Sequence, residues 1–287
     1  TNANASLITL GKINEIRLNN FRNFKSFTLS FNSNCNVLFG DNGTGKTNLL
    51  ESISVLSKGR GFRNDKLSNL IYKNEKSFQI KSEFEKDKNI YNINITAEYF
   101  ENSLKKKTSV NDEVSKDSLN FLDSSLSFLF FLPEMERLFL SSPSNRRNFF
   151  DKLIYSENKT YNKLVNKYKK KIIERTKLLQ LYQFDENWIF TLENEISDIG
   201  MQIYNYRNTK INELNNNLEI INKENSYPFK IEILLVDEFY NKKFDKSEYL
   251  RNLSNSRILD KKYGGSKIGP HKSDFIANIN NGINASQ

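Results

Sequence analysis

The segment VLFGDNGTGKTNLLESI, residues 37–53, decides how the rest of this 287-residue chain is read. It meets the pattern G-x-x-x-x-G-K-[ST] at Gly40, Asp41, Asn42, Gly43, Thr44, Gly45, Lys46 and Thr47. Each fixed place has a chemical reason. Glycines allow a backbone tight enough to turn successive N–H groups onto phosphate oxygens. Lys46 has the reach for β- and γ-phosphates, and the Thr47 hydroxyl suits a Mg²⁺ position. A helix beginning near Lys46 aims its positive end at the same anion. Leu49, Leu50, Ile53 and Leu56 recur at helical spacing after the loop, and the apolar CNVLFG (35–40) precedes it. The sequence therefore predicts strand, phosphate loop and helix in succession, with a nucleotide as ligand.

Working outward, INEIRL (13–18) and SFTLSF (26–31) read as strands, the second with Phe27, Leu29 and Phe31 on one face. CNVLFG is continuously apolar and reads as a central strand buried on both faces. SFQIKSEF and IYNINITAEY, within residues 77–99, alternate again, and the Asn-Asp pair of SVNDEV (109–114) predicts a turn. This makes a small β lobe with the phosphate loop at its heart. From about residue 135 the period becomes helical: Leu164, Tyr168, Ile172, Arg175 and Leu179, then Leu192, Ile196, Ile199 and Ile203, then Leu214, Leu218 and Ile221. The turn-like QFDEN (183–187) predicts an antiparallel pair. YPFKIEILLVDEF (227–239) returns to strand, YGGSKIGPH (263–271) is a glycine-proline loop, and DFIANIN (274–280) is a further strand.

Composition narrows the function. A formal charge of +9 and a pI near 9.3 suit an acidic partner, nucleic acid or an anionic membrane, or else a lysine-rich solvated surface. One cysteine, Cys35, excludes an internal disulfide or a cysteine metal cluster, and one histidine, His271, excludes HExxH. The apolar runs FLFFL (128–132) and ILLV (233–236) fall far short of the ~20 residues of a membrane span. With no signal-peptide pattern at the N-terminus, the expectation is a cytoplasmic protein.

Several blocks carry a family resemblance. INEIRLNNFRNFKSFTLSF followed by NVLFGDNGTGKTNLLESI resembles the SMC/Rad50-like group of ABC-type ATPase heads. LSKGRGFRNDKLSNLI (56–71), FLPEMERLFLSSPSNRRNFFDKLI (131–154), YNKLVNKYKKKIIERTKLL (161–179) and GPHKSDF (269–275) resemble, in order, blocks of the RecF family within it. The likeness covers residues 13–287. It implies an α/β fold of the P-loop NTPase class, an ABC/SMC-type head. An N-terminal tail (1–12) would precede a β-rich nucleotide lobe (13–134), a helical arm (135–226) and return strands of the head (227–287). It also implies an ATP-dependent homodimer that clamps DNA at gaps or junctions and acts with RecR, and indirectly with RecO, in loading RecA. ATP and Mg²⁺ are the implied cofactors, and slow ATP hydrolysis the implied reaction.

Further residues are carried over unevenly. Arg63, in GRGFRND, matches an arginine placed near phosphate in such heads, a geometry arginine suits; a surface arginine is the alternative. Arg22, in NFRNF, matches a position near the nucleotide. Pro133 and Glu134 fall where related heads place a polar residue near Mg²⁺. Arg146 and Arg147, with Lys169, Lys170 and Lys171, either meet DNA phosphates or form a solvated helix face. His271 reads as a loop histidine with backbone hydrogen bonds.

ILLVDE (233–238) has the outward form of a Walker B strand, with Asp237 as the Mg²⁺ ligand and Glu238 as the base. We read it as a decoy, because Lys230 and Glu232 give the segment the alternation of a half-exposed strand. In the family, moreover, the Walker B strand follows the signature motif, and NASQ (284–287) resembles that motif's first residues. On this reading residues 1–287 lack Walker B and most of the signature, and are expected not to hydrolyse ATP. Two alternatives stand beside it: a nucleotide-independent DNA-binding adaptor, and an ATPase head of another SMC/Rad50 subfamily.

Overall fold

The computed structural model describes residues 11–32, 35–57, 61–101, 103–131, 133–181, 183, 185–240, 244–279 and 283–284. The expected tail lies outside them up to residue 10, as do residues 285–287 of the signature-like NASQ. The chain divides into two compact units, Thr1–Phe130 and Phe131–Gln287.

The first unit is built on an antiparallel sheet of order β2-β1-β3-β4-β5. Its strands are β1 (Lys12–Phe21), β2 (Phe24–Ser30), β3 (Phe78–Lys86), β4 (Asn89–Phe100) and β5 (Ser103–Val110). Alternation sets the faces: Ile16, Leu18, Ile80, Phe84, Ile93, Ile95 and Ala97 point into a buried core. Two helices, α1 (Lys46–Val55) and α2 (Lys116–Ser125), contribute Leu49, Val55 and Leu122 to that core. Two-residue turns with positive φ match the strand twist. Asp87 and Lys88 join β3 to β4, and Asn111 and Asp112 close a bridge between Val110 and Glu113.

One expected strand is absent. Residues 35–40 belong to neither sheet, and Val37 and Phe39 are 79% and 92% exposed. A run buried on both faces needs a hydrogen-bonded neighbour on each side. No strand among the described residues lies beside this one, and only Leu38 reaches the core. The phosphate loop that follows is correspondingly at the surface, not at the heart of the lobe.

The second unit contains α3 (Pro143–Glu157), α4 (Lys159–Gln180), α5 (Glu186–Asn225), β6 (Ile231–Val236), α6 (Lys246–Tyr263), β7 (Asp274–Ile279) and β8 (Ile283–Asn284). Side-chain oxygens of Ser142, Asn158, Asp185 and Asp245 cap the four helices. The α4 stripe Tyr168, Arg175 and Leu179 is buried with Leu192, Ile196, Ile199 and Ile203 of α5. Arg175 is tolerated there because its guanidinium bonds Glu193 (2.9 Å), Asp260 (2.6 Å) and the Leu253 carbonyl (2.7 Å), joining α4, α5 and α6. At forty residues α5 is about 60 Å long; near its end Ile221 is exposed. The strands form a sheet of order β6-β7-β8, antiparallel throughout. On the side of β6 away from β7, Asn215 of α5 accepts from Ile233 N–H (2.8 Å) and donates to Ile233 C=O (2.9 Å).

Candidate phosphate-binding site

The geometry at residues 40–47 follows from its glycines. Gly43 and Gly45 have φ of 88° and 104°, which turns the chain sharply into α1. Thr44 N–H and Oγ1 both donate to the Asp41 carbonyl, tightening the loop. Gly45 takes the N-cap place of α1, and no side chain caps that end. The first N–H groups of the helix are thus offered outward, which is the donor set an anion needs. Lys46 Nζ donates to the carbonyls of Gly40 (2.6 Å) and Asp41 (2.7 Å), folding the ammonium back across the loop. Thr47 is the next residue of the helix.

A network behind the loop was only partly legible in the sequence. Asn23, in the β1–β2 turn, donates to the Thr44 carbonyl (3.3 Å) and accepts from Asn48 of α1 (2.9 Å). A Cβ on Gly45 would lie 2.6 Å from Asn23 Nδ2 and 2.7 Å from Phe24 Cζ, so the glycine makes room for this contact. Asn48 in turn accepts from Arg63 (2.9 Å), which also donates to Glu51 (3.1 Å). Glu51 is fully buried and is held bidentately by Arg22 through Nε and Nη2, both at 2.8 Å. Arg22 further donates to Asp65 (2.9 Å) and the Asn69 carbonyl (2.9 Å). Hydrogen bonding to Glu51 raises the Arg22 pKa, and bonds from Asn69, Lys66 and Arg22 lower that of Asp65. Arg22 is therefore spent behind the loop, and Arg63 is half-exposed beside it. The sequence singles out both arginines; Asn23, Asn48 and Glu51 carry no motif of their own.

Other candidates lie in the second unit. Arg146 bonds Asp274 bidentately (2.7 and 2.6 Å) and also donates to the carbonyls of Phe139 and Ser141, pinning α3 to β7. Arg147 donates to the Ser273 carbonyl at 2.6 Å, and burial lowers its pKa. A phosphate would have to displace Asp274 to take Arg146 bidentately. Lys171 pairs with Glu195 and Glu174, whereas Lys169 and Lys170 are exposed on α4. Pro133 and Glu134 lie on the 3-10 turns Pro133–Leu140. Asp237 follows β6 and accepts from the Tyr204 hydroxyl (2.6 Å) and from the N–H groups of Phe239 and Tyr240. His271 Nε2 meets the Ser266 carbonyl at 2.8 Å and Nδ1 meets the Tyr168 hydroxyl at 2.9 Å. Among the described residues, no group of three or more His, Cys, Asp or Glu is placed to hold a metal, and no helix is long and apolar enough to cross a membrane.

The chain is similar to proteins of known family. Residues 12–126 match the RecF/RecN/SMC N terminal domain. The DNA replication and repair protein RecF of Rickettsia conorii is 31% identical over 268 residues, covering 92% of this chain and 73% of that protein. RecF of Rickettsia felis is 30% identical, covering 92% and 72%. Two solved structures of the recombination mediator protein RecF in the RecFOR pathway, one with ATP and one with ATPrS, superpose with TM-scores of 0.80 and 0.81. Both are 28% identical and cover 97% of this chain and 76% of theirs. An SMC head bound to the C-winged helix domain of ScpA shares the fold, with a TM-score of 0.51 at 15% identity.

Proposed function

The chain belongs to the RecF family, a group of DNA replication and repair proteins with the SMC-type α/β head fold, and from that premise we propose that it is an ATP-switched DNA-binding protein of recombinational repair. The observation that carries the proposal is the open loop at 40–47, set on an uncapped helix N-terminus with Lys46 folded over it. The residues present fit a triphosphate. Gly43 and Gly45 have the backbone a phosphate cradle needs, and the first N–H groups of α1 have no side-chain acceptor. Lys46 would exchange the Gly40 and Asp41 carbonyls for β- and γ-phosphate oxygens, and Thr47 Oγ1 would coordinate Mg²⁺. Bound ATP supplies the charge and hydrolysable bond through which two heads associate and release.

Arg63 is the candidate to follow the phosphates. If it leaves Asn48 and Glu51, the bidentate Arg22 still neutralises the buried carboxylate. Asp237 and Glu238 are not proposed as the magnesium and base pair. Asp237 is committed to Tyr204 and to two backbone N–H groups, and β6 runs antiparallel to β7. We further propose that the ATP-bound homodimer clamps DNA at gaps and junctions in the cytoplasm and works with RecR, RecO and RecA, with slow hydrolysis resetting it. Exposed Lys169 and Lys170 remain candidates for DNA contact, and Arg146 and Arg147 fit a structural role instead.

The test is binding of a labelled gapped duplex with and without Mg-ATP, for the wild type and Lys46→Ala. The proposal expects ATP to tighten binding by about tenfold and the variant to lose that gain. Affinity indifferent to both would make the protein a nucleotide-independent adaptor.

A further inference from the structure

We propose that the outer face of α6 and the turn that follows it form a docking surface for an acidic peptide segment carrying large apolar side chains. On this face Ile258 is 82% exposed, Leu259 53% and Tyr263 61%. Exposed apolar residues gathered on one helix face, rather than scattered singly, have the pattern of an interaction surface. Their exposure is not that of a frayed helix end, because α6 is fastened from beneath. Tyr249 and Leu253 are buried, Asp260 bonds Arg175 at 2.6 Å, and Arg257 bonds Glu193 at 2.6 Å. The turn is held as well. Gly264 donates to the Asp260 carbonyl, and His271 holds the Ser266 carbonyl. The surface is thus preorganised, which lowers the entropic cost of binding.

Charge names the partner. Within residues 251–267 the single carboxylate is Asp260, buried against Arg175, whereas five side chains are basic; of these, Arg257 pairs with carboxylates of α5, Glu186 and Glu193. Arg251, Lys262 and Lys267 are exposed, and the ammonium groups of Lys262 and Lys267 lie 5.2 and 4.8 Å from the Tyr263 ring centroid. An apolar patch beside an excess of cations selects a partner of the other sign with apolar anchors. Nucleic acid would use the cations and Tyr263, but branched aliphatic side chains such as Ile258 offer bases no π-face to stack on. A peptide uses both halves of the surface.

The experiment selects displayed random dodecapeptides on the immobilised chain, then measures a labelled synthetic peptide from the enriched pool by fluorescence polarisation. Expected are peptides rich in Asp and Glu with aromatic or aliphatic anchors. Binding should weaken by about tenfold or more in Ile258→Ser/Leu259→Ser and in Lys262→Glu/Lys267→Glu. The unfolding midpoint of each variant should stay unchanged, because the replaced side chains are exposed. The proposal is overturned if nothing enriches, if the pool lacks an acidic excess, or if the apolar double variant binds the peptide as well as wild type. It is overturned equally if that double variant loses affinity for labelled oligothymidylate and keeps it for the peptide.

Discussion

Acidification should destabilise the second unit through one side chain, His271. A carbonyl can only accept, so the contact with Ser266 places the ring hydrogen on Nε2 and leaves Nδ1 bare. Tyr168 must then donate to Nδ1 at 2.9 Å, and Tyr249 must donate to Tyr168 at 2.8 Å. A proton on Nδ1 would set two donors against each other, reverse the tyrosine chain and leave a charge in a buried site. Burial pushes the His271 pKa down from 6.5 to about 4; the hydrogen bond to Ser266 opposes it next, the positive charges of Lys272 and Arg147 add to the lowering, and Asp237 opposes it least. The folded value lies below the unfolded one, so the unfolded chain takes up the proton first as pH falls. Stability is therefore full above about pH 6.5, declines through the window down to about 4, and loses nothing further from this group below it. At about 1.36 kcal/mol per pH unit, the loss amounts to about 3 kcal/mol. Urea unfolding of the wild type and His271→Gln across that range isolates it. Glutamine can still donate to Ser266 but does not titrate, so acid effects common to both proteins cancel. The wild type should lose about 3 kcal/mol more than the variant between neutral pH and about pH 4. Parallel pH profiles would refute the buried neutral ring.

Three further outcomes follow from the packing. Gly45→Ala puts a methyl 2.6 Å from Asn23 Nδ2 at a φ of 104°, and should abolish ATP-induced thermal stabilisation while lowering fold stability by only about 1–2 kcal/mol. Arg22→Ala leaves the buried Glu51 with the single bond from half-exposed Arg63 and should cost about 3 kcal/mol in chemical denaturation, whereas Arg63→Ala, which keeps the bidentate Arg22, should cost about 1 kcal/mol or less. Gly269→Ala, at φ 123° with its Cβ 2.0 Å from the Tyr249 hydroxyl and 2.2 Å from that of Tyr168, should lower the melting temperature enough to halve soluble yield; an unchanged melting curve would contradict the packing.

The elements that read correctly from sequence are those whose period is enforced by one buried face. β1 through β4 alternate, and α4 with α5 repeats every three to four residues; even Arg175, a polar residue in an apolar stripe, sits where the spacing puts it. CNVLFG misled because apolar content reports the need for cover, and the cover depends on neighbouring strands that local sequence does not encode. The loop at 40–47 was legible because its chemistry fixes residue types at fixed spacing. The support behind it was not. Asn23, Asn48 and Glu51 meet Arg22 and Arg63 only once the β1–β2 turn folds onto α1. Arg146 and Arg147 look like a basic patch in one dimension, and become fasteners because Asp274 and Ser273 lie more than a hundred residues away.

Asn215 guards one edge of the smaller sheet. By engaging both backbone groups of Ile233, its amide imitates a neighbouring strand at the middle of the β6 edge. Any chain seeking to extend the ladder at Ile233 meets a partner already in place. One amide on a long helix thereby works as a stop at the centre of this edge, occupying the two groups through which a further strand would first pair.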